Sequence, residues 1–197
     1  MKRSLSLRRL AYSAMALALC LVLPFLTGQI PQVGQMLLPM HLPVLLCGFY
    51  LGPCATVICE GVKILLKLLL KGTSTACVGE LCNFMLGAVF SAVAGFVYKR
   101  HKSRKTAILG AIAGAAVMAV FSVPSNYFIT YPAYVQFYHM PLEAILGMYQ
   151  AILPSADSLI KCLVIFNMPF TLVKGLLDAV LCLLIYKPLS PILHGRK

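Results

Sequence analysis

Between a basic run, Lys99-Arg100-His101-Lys102-Ser103-Arg104-Lys105, and an aromatic corner, Ser125-Asn126-Tyr127-Phe128-Ile129-Thr130-Tyr131-Pro132-Ala133-Tyr134, the chain carries no charge from Thr106 to Pro124. As a helix, a segment of this length and apolarity crosses about 30 Å of hydrocarbon. Lys and Arg gather at the cytoplasmic ends of such spans. The basic run is therefore expected inside the cell and the Asn/Tyr corner at the far side, where a ligand is expected.

The other basic residues follow the same rule. Of 17 Lys and Arg against five Asp and Glu, twelve fall in three clusters: Lys2, Arg3, Arg8 and Arg9; Lys99, Arg100, Lys102, Arg104 and Lys105; and Lys187, Arg196 and Lys197. A net charge of +12 in a soluble chain would point to nucleic acid, but here the charge sits at span ends in a chain that is 60% hydrophobic and only 11% charged. So much apolar surface belongs in a lipid bilayer, and nucleic acid is not an expected partner.

The expected fold class is an all-α membrane protein, a single integral membrane domain over 1–197. Six transmembrane helices, at about 8–25, 41–51, 54–70, 78–97, 106–128 and 158–186, leave both termini cytoplasmic and form outer loops at 27–40 and 130–157. Gly52-Pro53 divides an otherwise continuous apolar stretch into two helices, because proline cannot continue a helix through its own nitrogen. Within the outer loop 130–157, the apolar spacing of Pro141 to Leu153 predicts a short helix lying over the bundle. Pro169 is expected to break or kink the last span.

Polar groups inside spans are costly and mark function. Lys63, Lys67 and Lys71 repeat every four residues, with Glu60 one turn before Lys63 and able to pair with it. Glu80 and Asn83 lie near the outer end of the fourth span, and Asn167, Thr171 and Lys174 share a face of the last, with Asp178 one turn beyond Lys174. In the first span, Ala14 and Ala18 stand four apart, the small-residue spacing through which helices dock closely in lipid.

No motif for bond-making chemistry is present. The four histidines are scattered, no two of the eight cysteines are spaced Cys-x-x-Cys, and Lys71-Gly72-Thr73-Ser74-Thr75 lacks the order of a phosphate loop. Neither an enzyme nor a bound metal or cofactor is expected. Six spans without an evident repeat are also few for a free-standing secondary transporter. What remains is a small bundle with an outward pocket, its rival being a structural membrane protein whose aromatics form interfacial belts.

The chain resembles the S components of energy-coupling factor (ECF) vitamin transporters, most closely the riboflavin-type members. The resemblance rests on the Ala-rich first span, Pro43-Val44-Leu45-Leu46-Cys47-Gly48-Phe49-Tyr50-Leu51-Gly52-Pro53, Val78-Gly79-Glu80-Leu81-Cys82-Asn83-Phe84, Asn126-Tyr127-Phe128 with Tyr131-Pro132-Ala133-Tyr134, and Pro169-Phe170-Thr171-Leu172-Val173-Lys174-Gly175. It implies a prokaryotic cell-membrane subunit that captures a vitamin, most nearly riboflavin. Passage then requires a transmembrane coupling protein and two ATPase subunits, which hydrolyse the ATP. Carried over, the substrate site takes Asn126, Thr171 and Lys174, to which the outer polar and aromatic groups add Tyr127, Tyr131, Glu80, Asn83, Met40 and His41 as candidates, and the Ala14 and Ala18 face matches the docking surface for the coupling protein. Two positions depart from the riboflavin-type pattern: Thr171 replaces an Asn, and Leu38-Pro39-Met40-His41-Leu42-Pro43 replaces an acidic stretch. Pantothenate and a pyrimidine or pyridoxine precursor stay open as alternative ligands.

Overall fold

The computed structural model describes His41, Val44, Leu45, Phe49, and residues 52–73, 77–101, 103–139 and 141–194. The expected first span, the loop 27–40 and most of the span at 41–51 lie outside the described residues, and Met40, Ala14 and Ala18 lie there too.

Among the described residues the structure is helical, with no strand. Helix α1 (Pro53–Lys71) begins where Gly52 takes φ +89° and Pro53 fills the first turn, a position at which a missing N–H costs nothing. It ends at Gly72, φ +70°, whose N–H closes on Leu68. After the connector, α2 (Val78–Arg100) runs back to the basic run, and α3 (Arg104–Ser125) returns from it, capped by Ser103, whose hydroxyl accepts from the Thr106 N–H at 3.2 Å.

From Ser125 the helix does not stop. A π-helical turn, π1 (Asn126–Thr130), carries it into α4 (Tyr131–Tyr138), and α5 (Leu142–Gln150) follows. The interval 130–157, expected as an outer loop with one short helix between Pro141 and Leu153, thus holds that helix as α5 and a second, α4, that was not expected. The Tyr131 N–H bonds five residues back to the Asn126 carbonyl. That wide turn accommodates Pro132, which lacks a donor and would crowd an ordinary turn. The second π turn, π2 (Leu163–Asn167), links α6 (Leu159–Cys162) to α7 (Met168–His194) in the same way, with the Met168 N–H on the Leu163 carbonyl and a proline, Pro169, next in sequence. Where a break or kink was expected, the proline is absorbed by one widened turn.

Among the described residues, three continuous helical stretches are long and apolar enough to cross a membrane: Val78–Arg100, Lys105–Phe137 and Leu159–Leu184. Helix α1, with Glu60, Lys63, Lys67 and Lys71 in it, is not one of them. Lys105–Phe137 has 33 residues, about 50 Å of helix at 1.5 Å per residue, so its last turns reach well beyond the hydrocarbon.

Packing is antiparallel and close: α1 lies on α2, α2 on α3, and α3 on α7. The α3 face Ala107, Ala111, Ala115, Met118 is buried against Phe90, Ala94 and Tyr98 of α2 and Ala179 and Cys182 of α7. Its small side chains let backbones approach. A Cβ on Gly110 would lie 2.8 Å from the Ala94 carbonyl oxygen, one on Gly114 2.6 Å from that of Phe90, and one on Gly175 2.9 Å from the Ala115 Cβ. Outward, Ile58, Leu69, Phe96, Leu109, Val120 and Leu184 are exposed, a belt of apolar surface suited to lipid tails.

Candidate functional site

The glycine contacts place residues of different helices at matching heights, and the polar groups fall on two levels. At the deeper level Glu60 is fully buried and forms an ion pair with Lys63 one turn on; its Oε1 also lies 3.3 Å from His41 Nδ1. The Lys63 ammonium is itself 3.5 Å from that ring nitrogen, and the edge of the His41 ring faces Phe90. This cluster fits because residue 87 is glycine: a Cβ there would run into the Glu60 carboxylate and the His41 imidazole.

From α7, Lys174 and Asp178 lie within electrostatic reach of Glu60 and Lys63. Asp178 is fully buried, with the backbone of His41 and the ammonium groups of Lys174 and Lys63 around its carboxylate, while Glu60 Oε2 has no hydrogen-bond partner among the described residues. A buried carboxylate in this position depends on the surrounding ammonium groups to offset the cost of burying its charge.

At the upper level Glu80 is buried at the start of α2, with Lys67 of α1 3.7 Å from Oε1 and the Thr73 hydroxyl donating to Oε2 at 3.0 Å. Asn83 is half-buried one turn further. The Cys82 thiol and Thr130 hydroxyl, 2.9 Å apart, and Ser125, 3.8 Å from the thiol, join α2 to π1. Asn126 is half-buried, and its side-chain N–H donates to the Ser122 carbonyl at 2.7 Å, leaving the side-chain oxygen for another partner. Gly175 against Ala115 and Met118 places Asn167, about two turns earlier at the end of π2, level with the end of α3.

Over this level stands an aromatic wall. The Tyr131 and Tyr149 hydroxyls are hydrogen-bonded, Tyr134 meets Tyr131 edge-on at 6.3 Å, and Phe166 lies against Tyr149 at 5.5 Å and 33°. Among the described residues no cluster of His, Cys, Asp and Glu is placed to hold a metal, and Cys54, Cys59, Cys77, Cys82, Cys162 and Cys182 are free thiols.

Of the expected site residues, His41, Glu80, Asn83, Asn126, Tyr131, Thr171 and Lys174 occupy these two levels, and Thr171 is buried between Asn167 and Lys174 on one face. Tyr127 does not join them; it is 37% exposed and packs edge-on against the outward Phe128. Sequence reasoning paired Glu60 with Lys63 but left both out of the site. It took Gly87 only as a close-packing position and Tyr149 only as one of the outer aromatics, and placed neither in the site. The π turns did carry a signal, an Asn within a few residues of a Pro in each case, though one too common to single them out.

Residues 8–186 match the family described as ECF transporter, substrate-specific component. Riboflavin transporter FmnP of Bacillus subtilis (strain 168) is 27% identical over 157 residues, covering 79% of this chain and 76% of that protein. Riboflavin transporter RibU of Staphylococcus aureus (strain TCH60) is 31% identical over 185 residues, covering 93% and 90%. A solved structure described as "Structure and mechanism of the S component of a bacterial ECF transporter" is similar with a TM-score of 0.68 at 29% identity, covering 95% of this chain and 98% of that one. With its family matched along nearly its whole length, and its helices apolar on their outer faces, the chain is an integral membrane protein that belongs to the substrate-specific components of ECF transporters.

Proposed function

We propose that this chain captures riboflavin from outside a prokaryotic cell and releases it inward in complex with a transmembrane coupling protein and two ATPase subunits that supply the energy. Six spans with both termini in the cytoplasm place the two-level site at the outer face. The observation that carries the substrate is similarity to two riboflavin transporters, spanning 79% and 93% of this chain.

Charge supports the same ligand. Lys63, Lys67 and Lys174 are matched by Glu60, Glu80 and Asp178, and no Asp, Glu, Lys or Arg occurs from residue 10 to 59 to change that balance. An electroneutral lining suits an uncharged, flat, polar-edged molecule, and disfavours pantothenate, whose carboxylate would need an unmatched cation. Thr171, a hydroxyl in place of an amide, is the observation that favours another neutral vitamin, such as a pyridoxine or pyrimidine precursor.

Purification in mild detergent followed by extraction and mass spectrometry of bound small molecules tests the choice directly. Riboflavin is expected to copurify, and titration should quench its fluorescence with a Kd below about 1 μM. Absence of riboflavin binding at that concentration, with pyridoxine or pantothenate bound instead, would overturn the assignment.

A further inference from the structure

Asn167 closes the π2 turn at the level of the upper site, and its side-chain Nδ2 is buried with no hydrogen-bond partner among the described residues. An amide donor left in this state costs about as much as a lost hydrogen bond, so packing alone would favour a leucine here. The π turn gives a local reason for the placement. It adds one residue to the turn before Pro169, and from Asn167 onward the helix is regular, so by spacing Asn167 and Thr171 lie along the same face as Lys174, which is within electrostatic reach of Glu60 and Lys63. Next to it, Phe166 meets Tyr149 and forms part of the aromatic wall.

We infer that Asn167 is a substrate-binding residue, presenting its amide to a ring carbonyl or imide edge of a flat heteroaromatic ligand. This rests on the riboflavin proposal above. An asparagine side chain sets an N–H donor beside a C=O acceptor. The imide of a flavin ring sets a C=O beside an N–H, the complementary order, so the two groups pair through two hydrogen bonds in one plane. Thr171, one helical turn further along the same face, has a hydroxyl and cannot form that pair. The amide contact is thereby moved a turn toward the mouth of the site. A site that pairs with a polar edge also rejects analogues lacking it more strongly than an apolar pocket rejects a missing methylene.

The test compares Asn167→Leu, and Asn167→Leu combined with Thr171→Asn, with the unaltered protein, measuring riboflavin titration and ligand-free thermal unfolding in detergent. Asn167→Leu is expected to weaken riboflavin binding about 10- to 100-fold while its ligand-free Tm stays equal or rises. Adding Thr171→Asn should restore much of the affinity. A lower Tm with unchanged affinity would show that Asn167 only packs, and would overturn the inference while leaving the riboflavin proposal standing. Failure of the unaltered protein to bind riboflavin would overturn both.

Discussion

A carboxylate in the middle of a membrane bundle persists only where its charge is answered close by, and Glu60 is answered by Lys63 and by the His41 ring. The slot at Gly87 is as necessary as the charges. Gly87→Ala would push a methyl into the carboxylate and the imidazole, and because the carboxylate is ion-paired with Lys63 and the buried imidazole lies 3.3 Å from it they cannot simply swing away. We expect a loss of about 1–3 kcal/mol, read as a clear fall in ligand-free Tm; an unchanged Tm would mean that the cluster rearranges freely. Lys174 belongs to the same network through Asp178. Lys174→Met should weaken riboflavin binding at least about tenfold and also lower Tm, since it strands a buried anion. Lys174→Met with Asp178→Asn should recover the Tm and leave binding weak. Recovery of both would remove Lys174 from the ligand site.

At the level of elements, the bundle is set by how closely α2, α3 and α7 approach. Their separation is limited by Gly110, Gly114 and Gly175, each lying against backbone or a small side chain of its neighbour. Gly175→Leu should drive α7 from α3 and, because Lys174 and Thr171 ride on the same helix, reduce riboflavin affinity as well as Tm. Loss of Tm alone would show that the site tolerates the shift. The helical character of these stretches could be read from apolarity and from Gly52-Pro53. The two π turns could not, because a proline in a helix permits a break, a kink or a widened turn, and the choice depends on what the flanking residues pack against. For that reason the start of the outer segment, before the expected helix at 141–153, looked like a loop, although α4 extends the preceding helix without interruption.

For the whole molecule, the orientation expected from the three basic clusters can be checked without knowing the ligand. A cysteine introduced at Ser103 should react with a membrane-impermeant maleimide only after the membrane is opened, and one at His139 should react in intact cells. The reverse pattern would turn the site toward the cytoplasm and end the capture proposal. Docking on the energising module is tested at Ala14 and Ala18. Replacing either by Leu should leave riboflavin binding unchanged and abolish uptake by the assembled transporter; loss of binding instead would assign these residues to packing within the bundle.

The sequence by itself determined that the chain lives in a bilayer, where its long apolar helices from Pro53 onward run, and which polar residues deserved attention. Partition into lipid and helix formation depend on the composition of each segment taken alone. Only the tertiary structure decided which of those groups meet. His41 and Glu60 are 19 residues apart and share a slot opened by a glycine on a third segment, while Tyr127, adjacent to Asn126 in the chain, turns away from the site. Such meetings are fixed by the heights at which small residues let helices touch, a property of pairs of faces that neither segment carries on its own.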